Sequence, residues 1–226
     1  MPNDALGTYF DFILSYAPYF FYLPDSGIVD PEWGRGPCPA AFAIEFLYEA
    51  YNAREFETEK TSIYNKIVAL ADYLLTIQCN DSLKLAYGGF KSKDDSIYYY
   101  SIDAMRVILA LLKAYDLTGT VAYYDAAKLA GGTFLYNMQH KPSELGIHDK
   151  YYGGFAQAVT IADLWVSDMW IVDLYSLKAL KSLYVRIGEA KYQTMITDVL
   201  GFYRSGFETL YLKYSPPPNG DGAWHR

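Results

Sequence analysis

The chain has 226 residues, a net charge of −7, and 52% apolar against 20% charged residues. That balance supplies a sizeable core and argues against disorder. No Lys/Arg cluster reaches the density of a phosphate-tracking stripe, and charge interrupts every apolar run short of a bilayer span, so nucleic-acid partners and membrane insertion are excluded.

In chain order, the opening "MPNDALGTYFDFILSYAPYF" lacks the basic leader of a signal peptide and reads as a leading helix over 4–20, within segment 1–22. "LPDSGIVDPEWGRGPCP" (23–39) is a turn-rich lead-in to two apolar-periodic stretches, 40–52 and 62–78, which form a first helical hairpin within 23–86. A second hairpin occupies 87–151, with helices over 101–116 and 121–139 separated by "LTGT". A third occupies 152–214, with helices over 168–184 and 190–207 separated by "VRIGE". Ser101 and Ser167 are the expected N-caps, since a hydroxyl can accept from an unpaired first-turn N–H. Residues 215–226, rich in Pro and Gly, read as the lead-in to a fourth unit or as a tail.

The hairpins are copies. Tyr-Gly-Gly-Phe stands at 87–90 and again at 152–155, and a gapless overlay at an offset of 65 gives ten identities between 87–115 and 152–180. Asp103 and Asp168 are one of those pairs. The first unit is a degenerate copy: Ala50-Tyr51 matches Ala114-Tyr115, and Gln78 ends its second helix as Gln139 ends the next. The fold class is therefore all-α, built from repeated antiparallel helical hairpins of about 65 residues.

Helical hairpins joined by Gly-Gly-aromatic turns resemble the (α/α) toroid families: six-hairpin glycosidases, uronate-cleaving polysaccharide lyases, sugar epimerases and terpenoid cyclases. The resemblance covers about residues 23–224 and implies a toroid or a partial one. It also implies that the first helix of each hairpin lines an inner ring, with the preceding loops forming a ligand mouth from 25–39, 87–103 and 151–170. Complete toroids hold more hairpins than three, which implies a homo-oligomer or a further domain packed at the C-terminal end. The D-x-D-D motif of the protonating cyclases is missing, "KDDS" being a poor substitute.

The mouth segments combine carboxylates with aromatics, the mixture that a saccharide groove needs. Asp30, Trp33, Tyr87, Phe90, Tyr100, Tyr151, Trp165 and Trp170 are the expected substrate-binding residues. Asp103 and Asp168, at equivalent inner-helix starts, are the candidate acid–base pair of a glycoside hydrolase, with first-turn helix capping as the bland alternative. His148 and Tyr152 are the candidates for a lyase base, with Arg106 or Lys91 to neutralise a uronate. The partner expected is an oligo- or polysaccharide. The rival is a non-catalytic helical-repeat module for glycan binding or surface or virion assembly. Cys38 and Cys79 fall at one end of the first hairpin, read as free thiols with a disulfide sterically open. With three scattered histidines they make no metal cluster, and no cofactor is expected.

Overall fold

The structure is a computed structural model that describes residues 36–53, 57–92, 97–141, 152–170 and 174–206. The expected leading helix, together with Asp30, Trp33, His148 and Tyr151, lies outside the described residues.

Three helical hairpins follow one another. Helix α1 (Pro37–Asn52) turns back as α2 (Lys60–Thr76). Helix α3 (Ser101–Thr118) turns back as α4 (Val121–Leu129), which runs on through a wider π-helical stretch, Ala130–Leu135, to Met138. Helix α5 (Leu174–Ile187) turns back as α6 (Ala190–Gly206). Helices α1, α3 and α5 lie side by side as an inner layer, and each second helix packs outside its own partner. Alanines at 40, 41, 43, 50, 104, 110 and 114, all essentially sealed, let α1 and α3 approach closely.

The two ends of the hairpins differ. At one end α3 and α4 are joined by Gly119-Thr120, and α5 and α6 by Gly188-Glu189. Gly119 and Gly188 have φ of +71° and +74°, the left-handed conformation that glycine adopts without a Cβ penalty. Their N–H groups donate back to Tyr115 and Tyr184. At the opposite end the connections are long, and they carry strands β1 (Tyr98–Tyr100), β2 (Ala156–Thr160) and β3 (Trp165–Trp170). These form one antiparallel sheet in the order β1-β2-β3, with Tyr99 opposite Val159 and Val159 opposite Trp165.

The sheet corrects two expectations within a mostly helical fold. Residues 168–170 belong to β3, and the helix expected from 168 begins at Leu174. Ser167 therefore lies in a strand and not at a helix start. Ser101 is not a cap either; its hydroxyl donates to the Ala156 carbonyl at 2.6 Å, tying α3 to the sheet.

The repeat is written in hydrogen bonds as well as in letters. Gln78 Nε2 donates to the carbonyls of Gly88 and Ala126, and Gln139 Nε2 donates to those of Gly153 and Met195. Each glutamine thus clamps the end of one outer helix, the following Gly-Gly turn and the next outer helix. Gly88 and Gly153 have φ of +87° and +84°, and a Cβ on either would strike the backbone of α4 or α6. No other residue fits both the conformation and the approach.

Candidate functional site

Long loops on a rigid scaffold are where binding sites are usually built, and here they crowd the end at which the inner helices begin. Tyr100 ends β1 immediately before α3, half-buried, with its ring 5.7 Å from that of Tyr98. Trp165 is half exposed at the rim, at the start of β3. The tip between β2 and β3 is pinned by Asp163, whose carboxylate accepts from the Leu85 N–H and from Lys84 Nζ.

Below this rim the inner helices come into register through the tyrosine near each C-terminus, Tyr51, Tyr115 and Tyr184. In that register Phe42, Arg106 and Tyr175 are equivalent, and they meet in one layer. The Arg106 guanidinium lies 4.8 Å from the Phe42 ring centre and 5.0 Å from that of Tyr175. The two rings stand edge to face at 6.4 Å, and Phe42 is 41% exposed. A cation between aromatic faces is held by the ring quadrupoles. One turn further along, the equivalent residues are Glu45, Leu109 and Lys178, with Lys178 Nζ 5.5 Å from the Tyr175 ring. Beyond them Glu49 pairs with Lys113 at 2.6 Å, and Asp116 with Arg186 at 2.5 Å.

Asp103 sits in the first turn of α3 with 7% of its surface exposed. The Cys38 thiol donates to its Oδ1 at 2.7 Å, and Arg106 Nη1 donates to Cys38 Sγ at 3.4 Å. Burial pushes the Asp103 carboxyl up to about 6, opposed by the bonds from Cys38 and Ser92 and the charge of Arg106. Burial, then the neighbouring Asp103, raises the Cys38 thiol far above its ordinary range, so it is a hydrogen-bond donor and not a thiolate nucleophile. Cys38 and Cys79 are both free.

The expected site residues are thus dispersed. Phe90 is fully buried in the core and offers no ring face to a ligand. Tyr152 donates to Asp198 Oδ1 on α6 at 2.7 Å, which makes it an anchor of its turn to the outer layer. That bond, then burial, raises its phenol. Tyr87 is half-buried in the equivalent turn. Asp168 and Trp170 stand on β3, so Asp168 is not the helix-start equivalent of Asp103. The layer of Phe42, Arg106 and Tyr175 was missed as a unit. Aligning the helices on their closing tyrosines, rather than on the Gly-Gly turns, would have found it.

Geometry of this kind defines a class: three consecutive hairpins with an inner and an outer helix layer form a partial (α/α) toroid, mostly helical, with the strand-bearing loops at the mouth. Among solved structures, the chain is similar to the GH76 α-mannanase of Bacteroides thetaiotaomicron, with a TM-score of 0.63 and 15% identity, over 85% of this chain and 53% of that one. It is also similar to a D-mannose isomerase, with a TM-score of 0.60 and 17% identity, over 84% of this chain and 50% of that one. Both are toroid enzymes that process sugars. The chain spans about half the length of each. No protein-family model and no curated protein matches it.

Proposed function

We propose that this chain is a carbohydrate-active domain of the glycoside hydrolase type, which takes a saccharide through the strand-lined mouth onto the layer formed by Phe42, Arg106 and Tyr175. The observation that carries this reading is the asymmetry of that layer: three equivalent positions hold a half-exposed ring, a guanidinium and a second ring. Sugar C–H faces stack on such rings, and the guanidinium has donors for hydroxyl or ring oxygens. Tyr100 and Trp165 extend the aromatic surface toward the rim. Asp103 is assigned as a positioning residue, because its carboxyl is enclosed and reaches the layer through Cys38 and Arg106.

Both structural neighbours are named for mannose chemistry, so mannose, α-mannobiose and α-mannan are the first probes. The test is a glycan array followed by a reducing-sugar assay on wild type, Arg106→Leu and Asp168→Asn. Retention of mannose-containing glycans with release of reducing ends supports the hydrolase, and Arg106→Leu is expected to abolish retention. Binding to no glycan at all would sink the reading. A second reading, a binding or assembly module, draws on the half-length coverage, since a partial ring leaves inner-helix surface for a partner. Retention without release would favour it.

A further inference from the structure

We infer that Glu45, on the inner face of α1, is the proton donor of this site, so that the second carboxyl sits on the inner ring and not on β3. This rests on the saccharide reading above. Glu45 lies one turn below Phe42 and in register with Lys178 on α5, at the floor of the layer of Phe42, Arg106 and Tyr175. Its Oε1 is shielded from solvent, and among the described residues it accepts no hydrogen bond. A shielded carboxylate oxygen without a donor is costly, and the neutral acid relieves that cost. Asp103 is set differently: burial raises it as well, but the Cys38 thiol donates to it and Ser92 and Arg106 engage it, so its carboxyl is tied up beside the layer. Of the two carboxyls, Glu45 is the one with an oxygen that no donor among the described residues engages, which leaves its proton for a ligand.

Several charges act on Glu45. Burial raises its carboxyl, the nearby Glu49 adds to the rise, and Lys113, Lys178 and Arg106 oppose it, with burial prevailing. On an α-mannoside, the proton of Glu45 passes to the bridging oxygen as the C1–O bond breaks and its electron pair moves onto that oxygen. Water, the co-reactant, adds its oxygen to C1 and returns a proton to the Glu45 carboxylate. The net change is hydrolysis.

The test compares wild type and Glu45→Gln on two substrates, with α-mannobiose binding followed by calorimetry. On α-mannobiose the variant should be slower by about 100-fold or more, while the dissociation constant stays within about threefold. On 2,4-dinitrophenyl α-mannoside, whose leaving group needs no proton, the variant should stay within about tenfold of wild type. The alkaline limb of the α-mannobiose pH–rate profile should disappear in the variant. Equal rates in variant and wild type on both substrates, or equal losses on both, would overturn the inference and leave the saccharide reading standing. Wild type that binds α-mannobiose without cleaving it also overturns the acid role alone. Wild type that neither binds nor cleaves fails before any variant is made, and takes both down.

Discussion

The outer and inner layers of the hairpins repeat in different ways. In the outer layer, equivalent positions carry the same residues making the same bonds: Gln78 and Gln139 each clamp a Gly-Gly turn, and Gly88 and Gly153 each press against an outer helix. In the inner layer the equivalent positions carry Phe42, Arg106 and Tyr175, then Glu45, Leu109 and Lys178. Repeated chemistry on a repeated backbone is what a scaffold needs, because each copy meets the same packing problem. Different chemistry on a repeated backbone makes an asymmetric surface. Substitutions in the outer layer should therefore cost stability in both copies, while those in the inner layer should act on binding and on pH response.

The largest effect is expected at the turns. Gly153→Ala places a Cβ into the Asp198 carbonyl while keeping a left-handed φ of +84°. Strain and overpacking together should cost about 3–5 kcal/mol in urea unfolding. Gly88→Ala meets the Leu129 carbonyl at 2.8 Å and should cost somewhat less, about 2–4 kcal/mol. A neutral effect at either turn would break the claim that the two are equivalent joints.

Asp103 tests the inner layer through pH. Its folded carboxyl titrates near 6 against an ordinary 3.8, so folding favours the neutral form. The stability it contributes is complete below about pH 4 and is lost as pH rises through about 6, a change on the order of 3 kcal/mol. Asp103→Asn keeps an acceptor for the Cys38 thiol and removes the titration. Unfolding free energies measured from pH 4 to pH 7.5 should therefore fall further in wild type than in the variant. Parallel curves would mean that the carboxyl is solvated in the folded protein.

The glutamine clamps come next. Gln139 is 2% exposed, and Gln139→Ala leaves the carbonyls of Gly153 and Met195 without its two bonds. About 2–3 kcal/mol is expected for that loss. Gln78 is half-buried, so water can reach the carbonyls it serves, and Gln78→Ala should cost about 1–2 kcal/mol. The order of the two costs is the informative result, since the bonding pattern is shared and burial differs.

Much of the scaffold was legible in the sequence. Apart from α5, expected from 168 and found from Leu174, the described helices fall within a few residues of their expected bounds, because a 3.6-residue apolar period and a Gly break are local signals. The mouth was harder to read. In "AVTIADLWVSDMW" the β-branched and aromatic residues suit a strand, yet the apolar spacing also suits a helix, and only pairing with Tyr98–Tyr100 decides it. The register of the inner helices was misjudged for a related reason. The turns repeat at 65, but Gly119 and Gly188, and Tyr123 and Tyr192, are 69 apart. Four residues are about one helical turn, so a gapless overlay keeps the apolar faces matched while slipping every polar partner. Asp103 was matched to Asp168 by that slip, and Tyr175 was separated by it from Arg106, which the Ala50-Tyr51 and Ala114-Tyr115 match had already aligned with Phe42.

The smallest expected effect separates the layers most cleanly. Phe42 is 41% exposed and touches the site through the Arg106 guanidinium and the edge of Tyr175. Because its ring is only partly removed from water, Phe42→Ala should change unfolding free energy by about 1 kcal/mol or less. Losing one stacking face should weaken α-mannobiose binding by about tenfold, close to 1.4 kcal/mol. Phe134 is the outer-layer control, a ring fully buried against the Gly88–Gly89 turn. Phe134→Ala should cost about 3–5 kcal/mol of stability with binding by the folded fraction unchanged. If Phe42→Ala instead unfolds the protein and leaves binding intact in what remains folded, the inner layer is scaffold too, and the asymmetry of its residues needs another cause.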